Sequence, residues 1–272
     1  MEYPPLVSII TVCYNSEKYI RDTIESVLNQ TYPNIEYIVI DGESTDSTLE
    51  IVKEYEPKFE GRMRWISESD EGIYDAMNKG IKMAQGDIIG ILNSDDWYEQ
   101  DAVKAVVEQF DLDPQVDFVH GEMARYDNQG KLESIYGKKS DWFSFIDQAP
   151  FNHPTCFSKK EVYQKVGLFD TRFDTAADYD FMLKVRQSER VKAKFLPKIL
   201  TNFRKVGITS KKMFPGRDIY IILRQNGISP FLAAASLCFR FSRASLKYVL
   251  ERLDLKAIIN LYRKIVSHHR TT

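Results

Sequence analysis

The chain has 272 residues, 43% of them hydrophobic, with 37 Lys plus Arg against 39 Asp plus Glu, the composition of an ordinary globular protein. Its 16 Phe, 15 Tyr and 3 Trp exclude disorder as the main state, and three cysteines (Cys13, Cys156, Cys238), which read as core or near-core residues, exclude a disulfide scaffold. The net charge of −2 hides a split: residues 1–200 carry 23 basic and 36 acidic side chains, and residues 201–272 carry 14 and 3, so an acidic body is joined to a basic tail.

The N-terminus, Met1-Glu2-Tyr3-Pro4-Pro5, lacks the basic start of a signal peptide. Leu6–Val12 is a short apolar run and predicts a buried strand. Glu17–Leu28 predicts a helix, with Tyr19, Ile20, Ile24, Val27 and Leu28 on one stripe. A strand over Ile35–Ile40 follows and ends at Asp41-Gly42; then come a helix over Thr45–Tyr55 and a strand over Met63–Ser67. Ile73–Ala84 reads as a helix with Gly86 beyond its end, and Ile88–Leu92 as a strand running into Asn93-Ser94-Asp95-Asp96. Alternating strands and helices predict a parallel, doubly wound α/β sheet. Ligands in such sheets sit at the carboxyl ends of the strands. All four ends here are polar and three carry carboxylates, which repel one another unless a cation joins them.

The second half is less regular. Phe118–Met123 and Leu132–Tyr136 predict strands around a turn at Tyr126–Gly130. Trp142 to Phe157 is rich in aromatics and holds His153-Pro154. Lys159–Val166 and Tyr179–Val185 predict helices, and Lys194–Leu200 a final strand. The longest uncharged run, Gln225–Phe239, is 15 residues and is broken by Asn226, Gly227 and Pro230. A bilayer span needs about 20 apolar residues, so no transmembrane helix is expected, and a cytoplasmic chain with reduced thiols is.

The turn after the first strand, Thr11-Val12-Cys13-Tyr14-Asn15-Ser16-Glu17, has no glycine, and neither GxGxxG nor GxxxxGK[ST] occurs in the chain. A nucleotide would be held by side chains and a metal instead. The hard oxygen ligands of Asn93-Ser94-Asp95-Asp96 suit Mg²⁺ or Mn²⁺ bridging a diphosphate. The competing reading is a cap on a helix that starts near Gln100.

Five ordered segments together resemble the family 2 glycosyltransferases: Val7–Asn15, Ile38–Thr48, Asp70–Gly80, Ala84–Asp96 and Val166–Asp180. They look most like the bacterial enzymes that build exopolysaccharide and capsule repeat units, of the colanic-acid type. The resemblance spans roughly residues 6–205. It implies a GT-A fold, a Rossmann-like doubly wound sheet, over residues 1–205, with residues 206–272 as a basic helical extension. It also implies inverting, Mg²⁺- or Mn²⁺-dependent transfer of a sugar from a nucleotide-diphosphate donor, a UDP-sugar ahead of a GDP-sugar. Carried over residue by residue, Thr11, Tyr14 and Asn15 would lie beside the nucleobase and ribose, and Asp41 would hydrogen-bond the base. Asp70, Gly72, Tyr74, Asp75 and Asn78 would border the nucleotide and its pyrophosphate, with Asn93 and Asp95 close by. Asp96 would be the metal ligand, helped by Asp95 and His153, and Asp178 the catalytic base. Two departures stand out: Asn93 where the family often has Asp, and Ala177 where many relatives have Glu.

Each assignment has a structural competitor. Asp41 could cap its turn, Asp178 could cap a helix at Tyr179 with Asp180 in the first turn, His153 could be structural, and Tyr74 and Trp97 could be core aromatics. A sugar-phosphate nucleotidyltransferase is the alternative enzyme class, disfavoured by the missing Gly-rich loop; an inactive nucleotide-sugar-binding module is the non-enzymatic one. Transmembrane helices and a Gln-x-x-Arg-Trp motif, which mark processive synthases of the family, are both missing from these 272 residues, so transfer of a single sugar is expected. In the tail, Leu246, Val249, Leu250 and Leu253 share a helical stripe, as do Leu255, Ile258, Ile259, Tyr262 and Val266. Arg240, Arg243, Lys247, Arg252, Lys256, Arg263 and Lys264 are interleaved with them. That pattern suits the interface of an anionic membrane bearing a lipid-linked sugar acceptor, or helices packed on protein. No nucleic-acid partner is expected.

Overall fold

A computed structural model of the chain describes residues 4–137, 151–205 and 215–252. Its first part is built as the alternation predicts: β1 (Val7–Cys13), α1 (Ile20–Leu28), β2 (Ile35–Asp41), α2 (Thr48–Tyr55), β3 (Met63–Ser67), α3 (Ile73–Met83) and β4 (Ile88–Ile91). Every residue of β1 and β2 is buried, as in a sheet covered on both faces. Alternate side chains divide between two cores. Ile10, Val12, Ile38 and Ile40 pack with Met77 and Ile81 of α3, while Ile9, Tyr37 and Val39 pack with Ile20, Ile24 and Val52 of α1 and α2.

Two helices start three residues later than their apolar stripes suggest. The backbone at 15–17 and 44–48 is occupied by cross-links between the two loops. Ser16 N–H donates to Thr48 Oγ1 at 2.7 Å, Glu17 N–H to Asp46 Oδ2 at 3.1 Å, and Thr45 N–H to Asn15 Oδ1 at 2.9 Å. Asp46 Oδ1 also accepts the Thr48 N–H at 3.0 Å, holding the start of α2.

The remainder comprises β5 (Trp97–Tyr98), α4 (Ala102–Leu112), β6 (Phe118–Tyr126), β7 (Leu132–Tyr136), β8 (Phe157–Lys159), α5 (Lys160–Val166), α6 (Ala177–Gln187), β9 (Ala193–Arg204), α7 (Gly216–Gln225) and α8 (Pro230–Arg252). The sheet order is β3-β2-β1-β4-β8-β6-β9-β5, with β7 on the side of β6. The parallel sheet expected from the first hundred residues is present, and the later strands add a mixed portion to it. Only β3-β2-β1-β4 is parallel on that side; β8 runs antiparallel to β4 and to β6, β6 and β9 are parallel, and β5 is antiparallel to β9. β9 extends to Arg204, past the expected end at Leu200, because Trp97 and Tyr98 pair with Asn202 and Thr201.

α7, for which no sequence pattern was read, buries Ile219, Ile222 and Leu223 in the core that contains α6. Asp180, 1% exposed, ties it down: Oδ1 accepts from Gln225 Nε2 at 2.9 Å and Asn226 Nδ2 at 2.7 Å, and Lys184 Nζ lies 2.6 Å from Oδ2. Of the cysteines, Cys13 is buried and Cys156 half-buried, but Cys238 is exposed on α8, a correction to the core reading. The expected stripe from Leu253 to Val266, with Lys256, Arg263 and Lys264, lies outside the described residues, as does Trp142.

Candidate active site

The carboxyl ends of β1 to β4 converge on one edge of the sheet. Asn15 leaves β1 in the left-handed region, at φ 49°. Its backbone N–H donates to Ser44 Oγ at 2.8 Å, which locks the turn after β1 to the turn after β2. Tyr14 beside it is exposed. Asp41 ends β2 fully buried; Oδ2 accepts from the Ser44 N–H at 3.1 Å and from Ser67 Oγ at 2.6 Å. Its carboxylate thus joins the ends of β2 and β3 and sits beneath the opening. Across that opening lies Asp70, whose Oδ1 accepts the Gly72 N–H at 2.8 Å. Gly72, at φ 113°, takes a conformation that side-chain-bearing residues resist. A Cβ on Gly42 would stand 2.5 Å from Asp70 Oδ2 and 3.6 Å from the Tyr14 ring. Tyr14, Gly42 and Asp70 therefore meet at this edge of the sheet.

Two expected nucleotide contacts are core residues. Thr11 is fully buried, and its Oγ1 accepts from the Tyr37 hydroxyl at 3.0 Å, with no face open to a ligand. Asn78 is buried, with both ends of its amide spent on the backbone of one residue: Nδ2 donates to Phe169 O at 2.9 Å and Oδ1 accepts the Phe169 N–H at 3.0 Å. It clamps the loop before α6 onto α3. Asp75 pairs with Lys79, 3.4 Å away, at the rim.

Asp96 follows β4 and is fully buried. Its Oδ1 accepts the Arg204 N–H at 3.1 Å, while among the described residues Oδ2 has no hydrogen-bond partner, and neither does Asn93 Oδ1. Burial, then the charge of Asp95, pushes the Asp96 carboxyl well above the usual range, partly offset by Arg204 and Asn93; burial also raises Asp95. An orphaned buried carboxylate oxygen is what a divalent cation would satisfy. Among the described residues no group of three or more His, Cys, Asp or Glu could hold a metal alone. Mg²⁺ or Mn²⁺ would therefore rest on Asp96, Asp95 and the donor's own oxygens, which fits their habit of taking one or two carboxylates plus phosphates. His153 does not join them. It packs edge-on to Phe169 with ring centroids 5.6 Å apart; burial lowers its pKa, and the nearby charge opposing that is Asp178.

Asp178 stands in the first turn of α6, after Ala176 at the N-cap position, so it is not the cap. It is half-buried. Oδ1 accepts from the Tyr74 hydroxyl at 2.9 Å and from the Tyr179 N–H at 2.9 Å, while Oδ2 takes no hydrogen bond from a described residue. Tyr74 is a buried aromatic of α3 whose hydroxyl lies at the start of α6; burial, then the Asp178 charge, raises its pKa well above the ordinary value, partly offset by the backbone of Asp178 and Ala177. The two acids of Asp178-Tyr179-Asp180 thus differ: Asp180 Oδ1 is taken by Gln225 and Asn226 and its Oδ2 stands in an ion pair with Lys184, whereas Asp178 Oδ2 has neither among the described residues.

Arg204 was not singled out from the sequence. Its guanidinium lies over Tyr19 at 4.5 Å and Trp97 at 4.7 Å and pairs with Asp22 at 2.8 Å. Trp97 is therefore spent on a cation, and a lone arginine at a strand end carries no sequence signal for such a role.

Comparison with known proteins agrees with this architecture. The profile of glycosyl transferase family 2 matches residues 8–167. The chain is 33% identical over 189 residues to chondroitin synthase of Escherichia coli, covering 67% of this chain and 27% of that protein. It is 31% identical over 226 residues to hyaluronan synthase of Pasteurella multocida, covering 77% and 22%. The chain thus spans about a quarter of the length of these relatives. Among solved structures, S. aureus TarS in complex with UDP-GlcNAc superposes with a TM-score of 0.67 at 21% identity, covering 88% of this chain and 72% of TarS. The mannosyltransferase PcManGT from Pyrobaculum calidifontis, in complex with GDP-Man and Mn²⁺, gives 0.65 at 18%, covering 97% and 84%. The shared architecture is the GT-A fold, and with more than half its length matched the chain belongs to glycosyl transferase family 2.

Proposed function

We propose that the protein is an inverting, metal-dependent glycosyltransferase that moves one sugar from a UDP-sugar to a hydroxyl of a glycan or a polyprenyl-diphosphate-linked sugar in bacterial surface polysaccharide synthesis. The observation that carries this reading is a pair of carboxylates, each with an oxygen that takes no hydrogen bond from a described residue: the buried Asp96 and the half-buried Asp178. Beside Tyr14, Gly42 and Asp70 the base would stack and be read. Asp178 Oδ2 would take the proton of the acceptor hydroxyl as its oxygen bonds to the anomeric carbon, while the bond to the diphosphate breaks on the opposite face. Tyr74 holds Oδ1, which leaves Oδ2 for that proton. The cation, when bound, neutralises charge on the departing diphosphate. The complexes of TarS with UDP-GlcNAc and of PcManGT with GDP-Man and Mn²⁺ support a nucleotide-sugar donor and a divalent cation by likeness of fold. We assign the catalytic domain to residues 1–205 and the extension to the rest, and place the enzyme on the inner face of the cell membrane, where a lipid-linked acceptor resides. Among the described residues no helix is long and apolar enough to cross a membrane.

Asp178→Asn tests the assignment. UDP-sugar binding with Mn²⁺ should persist while transfer falls by about 10²–10⁴. Transfer at the unaltered rate would remove Asp178 as the base. Donor binding indifferent to Mn²⁺ would remove Asp96 as a metal ligand.

A further inference from the structure

α8 turns a mixed face to the body. Ala233 and Ser236 are buried, Leu237 packs against the core, and the Arg240 guanidinium donates to the Tyr179 hydroxyl at 2.9 Å. Facing outward are Phe231, Leu232, Phe239 and Phe241, which are 80%, 44%, 53% and 66% exposed, with Ala234, Ala235 and Cys238 exposed among them. A water-facing helix places its apolar stripe toward the core; here large apolar side chains cluster on the side away from it, a concentration that marks an interaction surface. An open groove of about 570 Å³ continues the apolar surface between α7 and α8, lined by Tyr220, Ile221, Ala234, Leu237 and Cys238, with the exposed Arg217 at its edge.

We propose that this face of α8, with the α7/α8 groove, inserts into the interfacial layer of an anionic bilayer, Phe231 and Phe241 being its anchors. Charge selects the occupant. Residues 201–272 carry 14 basic and 3 acidic side chains. A second copy docked symmetrically on this face would bring two such segments together and work against their repulsion, whereas acidic headgroups complement them. Aromatic side chains on one face of a helix with basic residues around it are the chemistry of an in-plane membrane contact. This deepens the membrane part of the reading above and rests on it, but it stands on the geometry of α8 and not on catalysis.

The test is co-sedimentation of the full chain at low salt with vesicles of phosphatidylcholine alone and of equal parts phosphatidylcholine and phosphatidylglycerol. Light scattering on the vesicle-free protein and UDP-sugar binding accompany it. The unaltered chain should bind the mixed vesicles and not the neutral ones. The double variant Phe231→Ser, Phe241→Ser should bind at least about tenfold more weakly, the loss expected when apolar anchors are removed. Arg217→Glu should weaken binding in low salt and matter less in high salt. Undiminished UDP-sugar binding shows that the variants are folded and the donor site intact, so a failure at the vesicles leaves the transferase reading standing. The proposal is overturned if the unaltered chain ignores mixed vesicles or if the double variant binds them equally. It is overturned also if the phenylalanines instead hold together a dimer that binds no vesicles.

Discussion

Replacing Asn78 by Ala separates the clamp from a ligand contact. The amide makes two hydrogen bonds to the backbone of Phe169, at 2.9 and 3.0 Å, and all groups are buried. Each such bond contributes about 1 kcal/mol net, and a buried peptide group left unpaired adds to the loss, so the variant should be destabilised by about 3 kcal/mol. Unfolding entropy of about 2.1 cal/mol/K per residue gives about 0.6 kcal/mol/K for a chain of this size, and hence a fall in Tm of about 5 °C. Asn78→Asp keeps the acceptor and loses the donor to Phe169 O, so it should lose stability as well. The Phe169 ring touches Tyr74, His153 and Phe181, at centroid distances of 5.7, 5.6 and 5.0 Å. A loosened loop should therefore reach Asp178 through Tyr74: kcat falls, while the donor Kd changes by less than about twofold. Scanning calorimetry and isothermal titration with a UDP-sugar and Mn²⁺ decide the matter. An unchanged Tm with a tenfold loss of donor affinity would make Asn78 a nucleotide ligand and refute the clamp.

Tyr74→Phe removes the hydroxyl that donates to Asp178 Oδ1; kcat should drop about tenfold with donor affinity unchanged, and an unaffected kcat would discard its positioning role. Gly42→Ala puts a Cβ 2.5 Å from Asp70 Oδ2; Asp70 must swing away, so donor affinity measured by titration should fall about fivefold while Tm stays within about 2 °C. Burial lowers His120 from 6.5 to about 4. The unfolded chain therefore binds more protons between those values, and stability, full above the unfolded pKa, falls by about 3 kcal/mol as pH drops through the folded one. Urea unfolding from pH 7 to 4 should show this slope, and His120→Asn should flatten it.

The elements readable from the sequence are those whose burial is local. β1 and β2 read as apolar runs because both their faces are covered, whereas Met63–Ser67 is an edge strand with only Met63 buried. The helix starts at 20 and 48 were missed because hydrogen bonds between loops, which no periodicity records, consume the preceding residues. β5 and β8 are two and three residues long and exist only through their partners. The same limit governs the site. The acids at strand ends were legible as types in a place. That Asp180 is tied into the structure depends on Gln225, Asn226 and Lys184, and that Asp178 has only Oδ1 engaged among the described residues depends on Tyr74. That Thr11 faces the core depends on the Tyr37 hydroxyl. A motif names the residue; the tertiary neighbours decide which of its atoms is left for a ligand.

The reversal of the sheet beyond β4 divides the molecule by contact order. In the parallel half the β1–β2 pairing joins near neighbours in the chain, as Val7 opposite Ile35, and β4 then returns to β1, as Val7 opposite Ile88. In the other half Tyr98 lies opposite Thr201, about a hundred residues along. Tyr14, Gly42 and Asp70 are brought together by adjacent βα units, whereas the wall that carries Asp178 closes only when late segments return to early ones. Drift in those late segments would alter what stands beside Asp178 without rewriting the early pairings, so on the proposed roles one scaffold could keep its donor and change its acceptor.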